Sequence, residues 1–486
     1  MQHCATLKLS DESPLSRFRS RIGGKDAVAR LRAGLIGEKA VIDGPMGPRP
    51  LIYADYVASG RALAQVEDFM RNEVLPFYSN SHTEASACGA FMTRLREEAR
   101  ATIARLTGAG DEFAVIFAGS GATAGLNRLV TLFGVPSAIS RGEVPLVILG
   151  PYEHHSNILP WRESGAEVVM LDEAAGGGPD LDQLAGLLEA NRYRGLKIGS
   201  FSAASNVTGI LTDTARVSEL LRRHGALCIW DYAGGGPYLD IDMADKDAVV
   251  VSPHKFPGGP GASGVLIVRK SAVATSAPTW PGGGTVKFVS PWGHDYSANL
   301  TAREEAGTPN TLGDIRAALA FLVKAAVGQD FIERRHRELM DRALNVWGSN
   351  PRLMILGKMD APRLPIFSFR VSDGEGGFTH QQLFTRMLSD CYGVQARGGC
   401  ACAGPYAHRL LDIDEECSDD LRQRISGGEE IAKPGWVRLN FSYLLDDAKA
   451  DAIIQAVDEL SRSSSAAASY TVDQATARFR MTAAAR

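Results

Sequence analysis

VSPHKFPGGPGASGVLIVRK, residues 251–270, decides the reading of this chain. Apolar residues from Ala248 run into Ser252 and Lys255, a glycine- and proline-rich turn follows, and a second apolar run spans Gly264 to Val268. This pattern predicts a buried strand, a loop and a second strand, with one lysine where the first strand ends. An ammonium held there is costly unless its pKa falls or the amine is consumed in a Schiff base. Ser252 and His254 flank it with donors suited to an anionic group. A lysine beside glycines is otherwise a solvated loop residue, so Lys255 needs support from elsewhere in the chain.

Two upstream stretches supply it. ALCIWDYAG, residues 226–234, reads as an apolar strand ending on Asp231, where a carboxylate would keep a pyridine nitrogen protonated. FAVIFAGSGATAGLNRLV, residues 113–130, reads as strand, small-residue turn and helix, with the amides of Gly121, Ala122 and Thr123 available to a phosphate. Alone, the first is also a turn or cap and the second a common α/β connection. Together, in this order, they describe a pyridoxal 5'-phosphate site.

Further segments stand in the same register: LIYADYVASGR (51–61), EHHSNILPW (153–161), ASNVTGIL (204–211), SPHK (252–255), PTWPGGG (278–284), EEAGTPNT (304–311) and RGGCACAGP (397–405). With them the chain, from about Leu51 to Leu460, resembles the class V aminotransferase family. Within it, the match is to the cysteine desulfurase and selenocysteine lyase group and its molybdenum cofactor sulfurase relatives. The resemblance implies fold type I of the pyridoxal phosphate enzymes, an α/β architecture. Lys255 would be the Schiff-base lysine and the carrier of the Cα proton, and Asp231 the partner of the ring nitrogen. His154 would stack on the ring, and Asn206 would reach the ring hydroxyl and the substrate. Ser252, His254, Thr123 and the backbone at Ala122 would take the phosphate. Thr308 would reach the phosphate of a neighbouring subunit, which implies a homodimer.

Arg397 matches the family arginine that grips the substrate carboxylate, a bidentate task for a planar guanidinium. Cys402 falls on the family's catalytic cysteine, the soft nucleophile that accepts sulfur as a persulfide. Cys400 lies two residues earlier, and in an extended loop that spacing puts both thiols on one side. A second acceptor, a regulatory disulfide and a metal pair are the alternatives, although a C-x-C alone is too sparse for zinc. The chain also departs from the family. Gly234 stands where desulfurases usually carry glutamine, and ADYVASGR replaces a DNAAT-like run. NSHTEAS (80–86) keeps His82, a candidate for the substrate mouth, without the arginine that often follows.

A chain of 486 residues accommodates a large domain and a smaller one. A net charge of −4 with no basic patch argues against nucleic acid and acidic membrane surfaces. No apolar run approaches the roughly 18 residues of a membrane span. The seven cysteines, an odd number without a signal peptide, point to free thiols in a reducing cytoplasm. Arg17, Arg19 and Arg21 suggest a transit peptide, but Asp11 and Glu12 argue against one.

Residues 1–48 read as an N-terminal arm, with a helix-like KDAVARLRAGLI (25–36) and a turn-rich DGPMGPRP (43–50). Residues 49–327 read as the cofactor domain, a mostly parallel seven-stranded sheet. Its expected strands are 113–118, 145–149, 166–171, 196–201, 226–230, 247–251 and 263–268, and a helix at 91–106 buries Phe91, Leu95, Ile103 and Leu106. A helical stretch over 313–347 links to a small α+β domain, 328–461, which carries the cysteine loop. That domain should hold strands near 364–371 and 435–442 and helices near 378–390 and 446–461. Residues 462–486, small and polar, read as a disordered tail.

The reaction expected is removal of sulfur from L-cysteine to give alanine and an enzyme persulfide, with a sulfur-acceptor protein as partner. An aminotransferase, β-lyase or epimerase of the same fold is the alternative, for which Cys402 would be unnecessary. A cofactor-binding scaffold for a protein partner is a third reading, opposed by Lys255, Asp231 and Arg397 together.

Overall fold

The computed structural model describes residues 12–80, 83–463 and 467–482. All seven strands expected in the large domain form: β1 (Phe113–Gly119), β2 (Leu146–Leu149), β3 (Glu167–Met170), β4 (Lys197–Ser202), β5 (Leu227–Asp231), β6 (Ala248–Val251) and β7 (Gly264–Arg269). They make one sheet in the order β1-β7-β6-β5-β4-β2-β3. The neighbours from β6 to β3 are parallel, and only β7 runs against its neighbours β1 and β6. The reversal follows from the connection. A glycine- and proline-rich link can return the chain antiparallel, whereas a parallel return needs a crossover, usually a helix. Lys255 therefore sits in the one connection that is not a crossover. Most strand residues are buried, as continuous apolar runs covered on both faces should be.

The helix Ala87–Leu106 starts on a Ser86 cap that accepts from the Gly89 amide. It buries Leu95 and Ile103, with Phe91 and Leu106 at the margin of the same core. The expected linking helix is two, α2 (Thr311–Val327) and α3 (Gln329–Trp347), broken at Gly328, whose φ of +82° no ordinary helical residue adopts.

The second sheet is antiparallel: β8 (Leu353–Ile355), β9 (Ile366–Ser372), β12 (Trp436–Asn440) and β11 (Arg397–Gly399) in that order, with β10 (Phe378–Thr379) paired to β9. Phe367, Phe369, Phe441 and Trp347 fill its core. Helices Gln381–Tyr392 and Asp447–Arg462 accompany it. Ile52–Tyr53 pairs in parallel with Val394–Gln395, which carries the following residue, Ala54, and Asp55 against this second unit.

Two segments differ from expectation. In the N-terminal arm, Pro14–Ile22 is a helix capped by Ser13, and its Leu15, Phe18 and Ile22 join the main core. Val41–Gly44 and Gly47–Pro50 pair as a hairpin around the turn-rich residues. In the tail, Tyr470–Asp473 and Arg478–Met481 also form a hairpin. The Tyr470 hydroxyl donates to Asp390 Oδ2 at 3.0 Å, and Phe479 packs its ring 5.2 Å from that of His380. Alternating residues in YTVD and RFRM let each strand turn one side inward, a pattern too short to stand out among small polar residues. Among the described residues, no helix is long and apolar enough to cross a membrane.

Candidate active site

Strand ends on one edge of the large sheet build the site. β1 runs through Ser120 into α1 (Gly121–Leu132), whose cap side chain makes no hydrogen bond, so the first amides are left to partners outside the helix. Gly121 has a φ of +61°, and a Cβ there would lie 3.0 Å from Ser252 Oγ and 3.1 Å from His254 Cε1. Glycine thus keeps a small cradle clear beside both side chains. The Ala122 amide donates to Ser252 Oγ at 3.0 Å, and Thr123 Oγ1 lies 2.8 Å from Ser156 Oγ. Ser156 also reaches back to His154. Its amide donates to Nδ1 at 3.1 Å, which leaves Nε2 to carry the imidazole proton.

β5 delivers Asp231 and β6 delivers Ser252 to the same edge. Asp231 is buried, and its Oδ1 accepts from the Ala233 amide at 2.7 Å. Burial raises its pKa, while that amide and Lys255 pull it down. Lys255 is pushed down to about 8, by burial first. Asp231 opposes this, and Arg438 and Arg397 reinforce it. His154 and His254 are each pushed down to about 4, mainly by burial and next by Lys255, so both imidazoles are neutral at neutral pH. Neutral rings can cover a flat ligand without desolvating a charge.

The second unit closes the cavity. Arg397 Nε donates to Asp55 Oδ2 at 2.9 Å, and Arg438 Nη2 donates to Asp55 Oδ1 at 3.0 Å. One carboxylate therefore aligns two guanidinium groups, one half-exposed and one buried. Arg438 Nη1 also donates to the Asn206 carbonyl at 3.1 Å, and among the described residues its Nε finds no hydrogen-bond partner. Cys402, exposed on the turn after β11, completes the lining. Lys255, Asp231, His154, Asn206, Ser252, His254, Ala122, Thr123, Arg397 and Cys402 all face one cavity of about 300 Å³. A more open depression of about 730 Å³, around Arg100, Lys270 and Arg303, contains none of them. The smaller cavity is the candidate, because the shifted titratable groups converge there.

Several expected residues lie elsewhere. Thr308, expected to serve a neighbouring subunit, is exposed on the loop after Glu304 and does not line the cavity of its own chain. His82 falls outside the described residues. Cys400 does not share the cavity with Cys402, because Ala401 and Cys402 both take φ near +55° rather than extended backbone. The turn directs Cys400 against the apolar cluster of Tyr152, Tyr406 and Trp436 instead. Gly234 lines the cavity, and a Cβ on it would make only ordinary contacts, the nearest 3.4 Å from the Ala204 carbonyl oxygen.

Asp55, Glu153, Ser156 and Arg438 were not anticipated. Glu153 is buried beneath His154 and accepts from the Ser202 amide, the Ser202 hydroxyl and Asn157. Burial raises its pKa to about 7. Only Arg438 had a visible signal: a lone cation inside the apolar run of WVRLN, a buried strand where a charge needs a partner.

A family model for class-V aminotransferases matches residues 52–418. The chain belongs to the class-V aminotransferase family. A probable cysteine desulfurase of Halalkalibacterium halodurans is 27% identical over 379 residues, covering 77% of this chain and 89% of that protein. A cysteine desulfurase of Salmonella agona is 30% identical over 367 residues, covering 73% of this chain and 85% of that one. Among solved structures, an apo cysteine desulfurase from Thermococcus onnurineus superposes with a TM-score of 0.73 at 22% identity, covering 89% of this chain and 97% of that one. One from Escherichia coli gives 0.69 at 24%, covering 89% and 98%. The fold is therefore fold type I of the pyridoxal phosphate enzymes. Features of this class-V site fit that cofactor: the helix N-terminus with its glycine cradle, a buried carboxylate at a strand end, a lysine of lowered pKa, and a buried Asn206 Oδ1 that finds no hydrogen-bond partner among the described residues.

Proposed function

We propose that the protein is a pyridoxal phosphate-dependent cysteine desulfurase. The observation that carries this reading is the presence of the Cys402 thiol in the same cavity as Lys255, Asp231 and two arginines. Transamination or epimerisation needs the amine, the carboxylate and the arginines, but has no use for a thiol there.

Lys255 would form the covalent link to the cofactor, and Asp231 would pair with the ring nitrogen. Ser252, His254, Thr123 and the α1 amides would hold the phosphate, with His154 over the ring and Asn206 at its edge. When bound, the cofactor supplies an electron sink for the pair left at the substrate Cα. Arg397 and Arg438 bind the substrate carboxylate, two donors already oriented by Asp55. Lys255, near pKa 8, carries an appreciable neutral fraction at neutral pH and moves the Cα proton. The Cys402 thiolate then attacks the substrate sulfur. An S–S bond forms as the C–S bond breaks, the bond pair stays with carbon and is protonated, and alanine leaves while Cys402 keeps the sulfur as a persulfide. The persulfide would pass to an acceptor protein, in a homodimer working in the reducing cytoplasm.

The test is Cys402→Ser. The variant should keep its cofactor and respond spectroscopically to L-cysteine, yet lose sulfide and alanine production by at least about a hundredfold, the loss expected when the attacking nucleophile is removed. Mass spectrometry of the wild type after cysteine treatment should find added sulfur on the peptide carrying Cys402. Full turnover by Cys402→Ser, or faster transamination of an ordinary amino acid than desulfuration of cysteine, would reject the assignment.

A further inference from the structure

We propose that His155 is a positioning residue that clamps the cysteine loop so that Cys402 stays in the cavity, with Gly404 as the site it grips. The proposal rests on the desulfurase reading for its purpose, but not for its geometry. Ala401 and Cys402 are successive residues with side chains at φ near +55°, a left-handed conformation that non-glycine residues hold only when their surroundings impose it. Four hydrogen bonds hold it here: the Ala403 amide donates to the Cys400 carbonyl at 3.2 Å and closes the turn itself, and three more tie the turn to its surroundings. The His155 amide donates to the Cys402 carbonyl at 2.8 Å, the Gly404 amide donates to His155 Nε2 at 2.9 Å, and Asn206 Nδ2 donates to the Ala401 carbonyl at 2.9 Å.

Two of the four belong to His155, one through its backbone amide and one through its ring, and His155 is not among the residues lining the cavity. Gly404 opens the helix Gly404–Leu410, and Ala403 at its cap position has no side-chain acceptor to offer. The His155 ring nitrogen takes that role from outside the helix. A Cβ on Gly404 would lie 3.0 Å from Nε2, so glycine is what lets the imidazole approach. The acceptor must be unprotonated, and burial with Arg162 holds its pKa below the ordinary value. His155 also starts the short turn His155–Asn157 capped by His154. Adjacent residues therefore face the cavity and hold the thiol's backbone.

The experiment compares the full-length holoenzyme with His155→Leu, His155→Gln and Gly404→Ala. It measures amide exchange in peptides covering the cysteine loop, the rate of persulfide formation on Cys402, and the absorbance change on adding L-cysteine. In His155→Leu, exchange at Gly404 and the persulfide rate should each change by a factor of about ten, faster and slower respectively, the scale of one lost hydrogen bond. The absorbance change and the concentration of cysteine that half-produces it should stay within about twofold, since the groups that bind substrate are untouched. His155→Gln, whose amide oxygen can accept from Gly404, should restore most of both. Gly404→Ala should shift both in the same direction as His155→Leu. Unchanged exchange and persulfide rates in His155→Leu and Gly404→Ala would overturn the clamp, and so would failure of His155→Gln to do better than His155→Leu. If His155→Leu does not fold, Gly404→Ala decides alone. Faster exchange in the variants with no persulfide on the wild type would sustain the clamp and reject the desulfurase reading. A wild-type persulfide formed equally fast by Gly404→Ala would do the reverse.

Discussion

Replacing Asp231 with asparagine should change Lys255 in two opposing ways. Burial holds Lys255 near pKa 8, and Asp231 is the strongest influence raising it against that burial. An opposite charge in close range moves a pKa by about one to three units, so the variant lysine should fall to about 7 or below. At pH 7 an amine of pKa about 8 is neutral in about one molecule in eleven, and one of pKa about 7 in about one in two. The sign is then fixed. Only the neutral amine attacks the cofactor aldehyde, so uptake rises with pH through about 8 in the wild type, and the midpoint moves down by at least about one unit in Asp231→Asn. At pH 7 the variant should take up pyridoxal phosphate about fivefold faster. Turnover should nevertheless fall by at least about a hundredfold, because the buried carboxylate no longer stabilises charge on the ring. The assay is absorbance-detected uptake by cofactor-free protein from pH 6 to 9, followed by alanine production. A midpoint that stays or rises in Asp231→Asn would refute the electrostatic argument, whatever happens to turnover.

Asp55→Asn should destabilise the protein by about 3–5 kcal/mol, because buried Arg438 loses its carboxylate, whereas half-exposed Arg397 adds at most about 1 kcal/mol. It also makes the arginine pair more positive by one charge, so a dicarboxylic amino acid should inhibit more tightly; an unchanged melting midpoint and unchanged inhibition would count against Asp55 as the aligner. Thr308 is exposed and away from its own chain's cavity, so Thr308→Ala should weaken cofactor retention only if a neighbouring subunit uses it. A fully active monomer in light scattering, or unchanged retention in the variant, would remove that role.

The large sheet was legible because its strands are continuous apolar runs bounded by glycine, proline and charge, and because Lys255 and Asp231 stand at strand ends rather than inside them. The turn that places Gly121, Ala122 and Thr123 at the cavity was visible for the same reason: they follow a strand within a few residues. Asp55 was not, since its partners lie 342 and 383 residues away in sequence and no local pattern encodes a contact of that range. The helix Pro14–Ile22 was missed for a different reason. Leu15, Phe18 and Ile22 do share a helical face, but three apolar residues among alternating arginines and serines are a weak periodic signal in a segment read only as an arm. In the structure two of the arginines, Arg17 and Arg21, pair with Glu73. The same-side reading of Cys400 and Cys402 failed because it assumed extended backbone, and nothing in CAC announces two left-handed residues in succession.

The division of labour between the two sheets bears on how substrate choice is set. The residues proposed to hold the cofactor come from the large sheet's strand ends and its connections, whereas Arg397, Cys402 and Arg438 come from the antiparallel sheet and its cysteine turn. Asp55 stands with the second of these, because the strand before it pairs with Val394–Gln395 of the second unit. On the proposed reading, cofactor chemistry and sulfur chemistry would rest on different cores, linked by contacts such as Arg438 to the Asn206 carbonyl and Asn206 to the Ala401 carbonyl. Changes at Arg397, Cys402 or Arg438 should therefore alter which amino acid is turned over, or whether sulfur is captured, while leaving cofactor binding intact. Changes at Gly121, Asp231 or Lys255 should disable every reaction at once. The bridging contacts, Arg438 to the Asn206 carbonyl, Asn206 to the Ala401 carbonyl and His155 to the cysteine turn, are where the two cores are held in register.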